Sequence, residues 1–364
     1  MKHLTVKSHL PPKRKLLALG AATALALSLS ACVGGSSDDD TENASASSAC
    51  PWEADESVTA KVRIGYQKIP NGDVVVKDQK ILEHCLPNAT IEWSNFASGG
   101  DVVQAFGGKS LDIGLAGSSP STKALSAPLN LPVSVIWIHD VIGTAESLVV
   151  RDGAASDIAG LKGKTIATPF GSTAHFSLLQ AIADAGENAK DYKLINSEPE
   201  QIAPAWSRGD VDAAWIWDPT LSELTKDKGE VILSSEDTAK AGKPTFDLAI
   251  ASNDFIAANP AVLETWAKAQ DFAVKQIREE PAKAAESVAV EVGVSTAEAE
   301  KLFGGFVFLD ASEQVGADYL GGKLGQDLFT TAGFLLTQDG IAKVADKSVY
   351  ADGVDKAPAE AAAQ

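Results

Sequence analysis

Residues 163–186 read "GKTIATPFGSTAHFSLLQAIADAG", and this stretch decides the fold. The run through Thr168 is short and apolar, as a buried strand requires, and Pro169, Phe170 and Gly171 end it. A helical period follows. Phe176, Leu179 and Ala183 share one face, Leu178 and Ile182 widen it, and Gly186 is placed to stop it. Ser172 and Thr173 therefore stand in the first helical turn, where backbone N–H groups have no intrahelical partner. Ordinary capping by Ser or Thr accounts for them without any ligand. A helix end free of bulky side chains is also a site for an anion.

The pattern recurs in "AKVRIGYQ" (60–67), "SLDIGLAGSSPSTKALS" (110–126) and "GDVDAAWIWDPTLSELTK" (209–226). Strands alternating with helices predict an α/β fold with a mostly parallel sheet, whose ligands bind beyond the carboxyl ends of the strands. The polar clusters lie at those ends. Ser118 and Ser119 precede Pro120, suited to the first helical position, and repeat the arrangement of Ser172 and Thr173. Glu146 falls between two apolar runs, at a strand junction rather than on a solvated face. Trp215 and Trp217 alternate along one strand, so at least one is expected in the core. Asp218, just before Pro219, is a helix cap, a ligand contact or both. His175 has a structural and a functional reading of equal standing. No serine or cysteine is arranged with a base as a nucleophile, and neither a P-loop nor a dinucleotide fingerprint is present.

Over its 364 residues the chain carries a formal charge of −18 and no basic stripe beyond its start, which argues against nucleic acid as a partner. Residues 1–32 combine Lys2, Lys7, Lys13, Arg14 and Lys15 with an apolar stretch from Leu16 to Leu29 and end in Leu29-Ser30-Ala31-Cys32. This is a secretory signal, and its last four residues resemble a bacterial lipobox, with Cys32 the acylated residue and an ordinary cleavage site as the other reading. Residues 33–57, mostly small or acidic at first, are expected to be a flexible tether. Cys50 and Cys85 remain; in an exported chain the pair points to a disulfide, two unpaired buried thiols being the alternative, and the spacing does not suit a metal. The final residues, 351–364, read as a loose tail.

Taken in order, "GYQ", "SGGDVVQAFGGKSLDIGLAGSSP", "ESLVVR", "LKGKTIATPFGSTAHFSLL", "IAPAWSRGDVDAAWIWDP" and "ASNDFI" resemble the taurine-binding members of a family of ABC-importer substrate-binding proteins. That wider group also takes up alkanesulfonates, nitrate and pyrimidine precursors. The resemblance implies a type 2 periplasmic-binding fold: two α/β lobes joined by two crossing strands, with 58–147 the first part of lobe 1, 148–246 lobe 2, and 247–350 the helical return of lobe 1. It also implies a ligand set. The sulfonate of taurine would take hydrogen bonds from Ser118, Ser119, Ser172 and Thr173, and its ammonium would meet Glu146 and Asp218. Gln67 and His175 would be secondary contacts, and Trp217 would cover the two-carbon stem. Glu146 is the discriminating residue, because an isolated buried carboxylate is expensive unless a cation compensates it. The implied partners are a membrane permease with its ATPase subunit, reached by a monomer anchored through lipid on the outer face of the cytoplasmic membrane or in the periplasm. No cofactor and no catalysis are implied. A related enzyme branch, which makes the thiamin pyrimidine, depends on a cysteine-rich iron motif, whereas the folded part here holds only Cys50 and Cys85. Another small alkanesulfonate or a sulfate ester is the rival ligand.

Overall fold

In the computed structural model, which describes residues 49–364, each quoted strand-to-helix stretch forms its strand and then its helix. Eleven strands run in chain order: β1 (Lys61–Tyr66), β2 (Thr90–Asn95), β3 (Ile113–Gly117), β4 (Val133–Ile142), β5 (Glu146–Arg151), β6 (Thr165–Thr168), β7 (Lys193–Asn196), β8 (Ala213–Trp217), β9 (Gly229–Ser234), β10 (Phe246–Ser252) and β11 (Phe306–Val307). They make two sheets, ordered β11-β4-β10-β3-β1-β2 and β7-β6-β8-β5-β9. The first belongs to lobe 1 and the second to lobe 2. Strands β1, β2 and β3 are parallel, as are β6, β7 and β8, while β5 and β10 run antiparallel to their neighbours.

The antiparallel strands mark where the chain changes lobe. It leaves lobe 1 through the short link between β4 and β5, and it returns between the helix Ser235–Lys240 and β10. Glu146 is thus the first residue of lobe 2's β5, and Phe246 the first residue of β10 in lobe 1. Both crossings lead directly into the space between the lobes.

Each helix is built as its sequence dictates. Ser172 caps Thr173–Asp184: its hydroxyl accepts from His175 N–H and donates to the Pro169 carbonyl. Phe176, Leu178, Leu179 and Ile182 are buried beneath it, while Ala183, expected on the same face, is exposed at the helix end. The long helix Pro260–Glu279 begins after Asn259 and buries Val262, Trp266, Ala269 and Val274 along one side. Its Trp266 meets Trp137 of β4 edge to face at 6.3 Å, a geometry favoured by the ring quadrupoles.

Two expectations about the ends are corrected. Of the expected tether, residues 33–48 lie outside the described residues, as do the signal segment and Cys32, but 49–57 are docked onto lobe 1. Cys50 is disulfide-bonded to Cys85, with Cα atoms 4.8 Å apart; Asp55 N–H donates to the Cys85 carbonyl, and Trp52 packs edge-on against Phe272. The expected loose tail is also ordered. Residues Ala357–Ala362 form a helix whose Pro358 and Ala359 are buried, and Val354 bridges to Val135 of β4. The segment is too short and has too few large apolar side chains to announce a docking face, yet its small alanines let that helix pack closely on Pro260–Glu279.

Candidate ligand-binding site

Between the lobes, at the carboxyl ends of the parallel strands, lies a cavity of about 20 Å³. Lobe 1 contributes Gln67 and Ile69 after β1, Gly117 at the end of β3 and Pro120 after it, and Asp247 of β10; lobe 2 contributes Glu146, Ser172, Thr173 and Trp217. Gln67 is held in place because its side-chain amide donates to the Leu115 carbonyl. At Gly117 the lobes approach closely: a Cβ there would stand 2.5 Å from Thr173 Cγ2. Only glycine permits that approach. A larger cleft of about 570 Å³ adjoins the cavity, shares Gln67 and Trp217 with it, and is lined from both lobes, with Lys68, Asn95 and Phe96 facing Glu200, Pro219 and Glu223. A space of 20 Å³ holds about one water-sized probe, so an organic solute enters only when the lobes part. Phe176 against Phe334, 5.4 Å apart, and the Lys226–Glu298 ion pair are contacts such parting must break.

Three buried carboxylates dominate the electrostatics. Glu146 accepts from Thr173 Oγ1 at 2.6 Å, Ser235 Oγ at 2.6 Å and Ser177 Oγ at 3.5 Å. Burial pushes its carboxyl up to about 7, with those hydroxyls pulling the other way. Asp247 is 6% exposed and is pushed up to about 8, by burial first and then by the charge of Glu146. Asp140 of β4 is fully buried, neither of its oxygens has a hydrogen-bond partner, and burial together with Asp247 and Glu146 raises it well above the carboxylate range. Among the described residues, no Lys, Arg or His lines the cavity. Buried carboxyls with no basic side chain beside them favour a cation over an anion at that end of the cavity.

The other half is hydroxyls and helix ends. The N-termini of Ser118–Leu125 and Thr173–Asp184 meet at Gly117 and Thr173. The buried hydroxyl of Ser119 has no partner. Those of Ser118, Ser172 and Thr173 are engaged with Phe246 N–H, the Pro169 carbonyl and Glu146. Two converging N-termini favour negative charge. The cavity therefore offers an anionic and a cationic end within one small volume.

Of the residues singled out in the sequence, Gln67, Glu146, Ser172, Thr173 and Trp217 line the cavity, and Ser118 and Ser119 flank it beside Gly117 and Pro120. Trp215 is fully buried, leaving Trp217 as the cavity-lining ring of the pair. Two are turned elsewhere. Asp218 Oδ1 accepts from the N–H and the hydroxyl of Ser222, capping the helix Thr220–Lys226, and does not line the cavity. His175 stacks on Phe170 with ring centres 4.4 Å apart, and its Nδ1 accepts from Gly171 N–H. It lies outside the cavity lining, and burial holds it down at about 4, which keeps it neutral. Asp247 and Asp140 were not singled out. Their signal was an aspartate inside each of the apolar runs "VSVIWIHDVI" and "TFDLAIAS", a residue that strands disfavour.

Two α/β lobes, two crossings between them and a charged cavity at the seam define a two-lobed solute-binding protein. A family model described as NMT1/THI5 like matches residues 94–284, and the chain belongs to that family. It is 34% identical over 269 residues to the taurine-binding periplasmic protein of Escherichia coli (strain K12), an alignment spanning 72% of this chain and 82% of that one. The alkanesulfonate-binding protein SsuA from Xanthomonas axonopodis pv. citri, solved with MOPS bound, superposes over 81% of this chain and 98% of that one with a TM-score of 0.67 at 24% identity. The desulfurization enzyme DSZB superposes over 83% and 98% with a TM-score of 0.60 at 14% identity. These two similarities show the fold alone, which is the type 2 periplasmic-binding fold.

Proposed function

We propose that this protein is the extracytoplasmic solute-binding component of an ABC importer and that its ligand is taurine. The observation that carries the reading is the make-up of the inner cavity: two helix N-termini and the unpartnered Ser119 hydroxyl beside it, the carboxyls of Asp247 and Glu146 in its lining, and no basic side chain in that lining. A zwitterion with a sulfonate and an ammonium two carbons apart matches both ends. The unpartnered hydroxyl of Ser119 and the amides at the helix ends beside Ser172 and Thr173 hold the sulfonate, with Ser118 supporting the crossing at Phe246 and Trp217 covering the carbon stem. Asp247 takes the ammonium, because it reaches the cavity without a hydrogen-bond partner of its own, whereas Glu146 already accepts from three hydroxyls. Glu146 then acts on the ligand mainly through its charge. Asp218 and His175 are assigned to the scaffold.

On this reading the chain performs no chemistry. Ligand enters the parted lobes, bridges them and shifts the population toward the closed form, which a permease recognises; a separate ATPase drives transport. Cys32 carries the lipid that holds a monomer at the membrane, and the tether ends at the Cys50–Cys85 disulfide. Calorimetric titration with taurine, ethanesulfonate, isethionate and sulfate tests the assignment. Taurine binding far more tightly than ethanesulfonate is the expected result. Equal binding of the two would replace taurine by a general alkanesulfonate or sulfate ester as the ligand.

A further inference from the structure

Asp140 is not explained by stability. A carboxylate buried without a hydrogen bond costs more than a serine or asparagine in the same place, yet nothing donates to either of its oxygens. Its position comes from an irregularity in the ladder between β4 and β10. Leu248 pairs with Ile138 and Asp247 with Asp140, so His139 is passed over. Such a bulge re-aims side chains, and directly opposed residues share a face of the sheet. Asp140 is thereby brought beside Asp247, while His139 packs on Trp266 and Asp73. The charged groups that act on Asp140 are Asp247 and Glu146, both acidic. Like charges directly opposed on neighbouring strands repel.

We propose, resting on the reading of the cavity as a site for an ammonium sulfonate, that Asp140 is a specificity-determining residue: from behind Asp247 it supplies a second negative charge to the cation half of the site. The solutes selected are short sulfonates with a cationic, many-donor head, ammonium or guanidinium, and those without such a head are rejected. A ligand-free site with three clustered carboxylates holds protons, because burial, and then the charges of their neighbours on Asp140 and Asp247, keep them from ionising together. Cation binding displaces them, so capture of ligand releases protons to solvent.

The test uses the full-length protein and its Asp140→Asn variant, titrated at pH 7 with taurine, guanidinoethanesulfonate and ethanesulfonate in two buffers of different ionisation enthalpy. Asp140→Asn is expected to lower the taurine-to-ethanesulfonate affinity ratio at least about tenfold, to leave ethanesulfonate binding unchanged or stronger, and to reduce the protons released. A folding defect would weaken all three ligands together, and Asp140→Ser repeats the measurement if the asparagine variant is not recovered. An unchanged ratio with unchanged proton release overturns the role of Asp140. A wild-type protein that fails to prefer taurine over ethanesulfonate instead overturns the underlying reading of the site, and this inference with it. Independently of any variant, a wild-type taurine affinity that is flat from pH 5.5 to 8 refutes the proton displacement.

Discussion

Asp247→Asn is expected to change stability and affinity in opposite directions. Asp247 is buried at the start of β10, opposite Asp140, and is pushed up to about 8. In the unfolded chain the same carboxyl titrates near 4, so at pH 7 the folded protein forgoes about three units of ionisation, on the order of 4 kcal/mol. Asparagine removes that cost but brings an amide to be satisfied, worth about 1–3 kcal/mol if left unpaired. The ligand-free variant is therefore expected to be more stable by about 1–3 kcal/mol, or a few degrees in melting temperature at about 2–4 °C per kcal/mol. Affinity goes the other way. Removing the partner of a desolvated ammonium costs about 2–5 kcal/mol, a loss of about 30-fold or more, while ethanesulfonate binds as before or better. Thermal melts of the ligand-free protein and parallel titrations with the two sulfonates read both effects. A variant that melts lower and still binds taurine like the wild type would refute the assignment of Asp247 as the ammonium partner.

Three further outcomes are expected. Because Glu146 and Asp247 are raised to about 7 and about 8, the folded protein keeps protons that the unfolded chain has released above about pH 4. Stability without ligand should accordingly fall as pH rises from about 4 to 8, and taurine affinity should rise over pH 5–8 by about tenfold per unit for each proton displaced, as pH-stepped melts and titrations would report. Asp218→Ala removes the acceptor for Ser222 and should cost about 1 kcal/mol of stability, the usual value of a helix cap. Its taurine affinity should stay within about threefold of wild type, the standing of a residue within the cap rather than the cavity; a larger loss would return Asp218 to the site. Gly117→Ala places a Cβ against Thr173 across the seam and should hold the lobes apart, weakening every sulfonate alike, with small-angle scattering showing no compaction on adding ligand.

Much of the fold was legible because its signals are local. The alternation of apolar runs with helical periods follows from backbone hydrogen bonding and side-chain burial within some twenty residues. Phe176, Leu178 and Ile182 are buried as their spacing predicts. Ser172, which caps its helix, and Asn259-Pro260, where Pro takes the first helical position, announce their own helices. The site was legible only in part. Gln67, Glu146, Ser172, Thr173 and Trp217 stand at strand ends, where an α/β sheet places its ligands. Asp218 has two local roles open to it, and the sequence does not choose; its hydroxyl and amide donors at Ser222 do. The docked segments at Cys50–Ser57 and Ala357–Ala362 carry weak local signals, and their order comes from a covalent bond and from contacts with distant helices.

By itself, then, the sequence determined the α/β class, the strand-to-helix turns, the acidic character that argues against nucleic acid as a partner, and a resemblance dense enough to name the family. Tertiary structure alone decided which carboxylates cluster at the cavity. Asp140 and Asp247 are more than a hundred residues apart, on strands that become neighbours only when the chain returns to lobe 1, and a one-residue bulge at His139 sets them on the same face. Alternation along a strand cannot foresee a bulge, and spacing along a chain carries no record of which strands will pair. The energy of a buried charge depends on what surrounds it in space, so the chemistry of this site was settled by the fold.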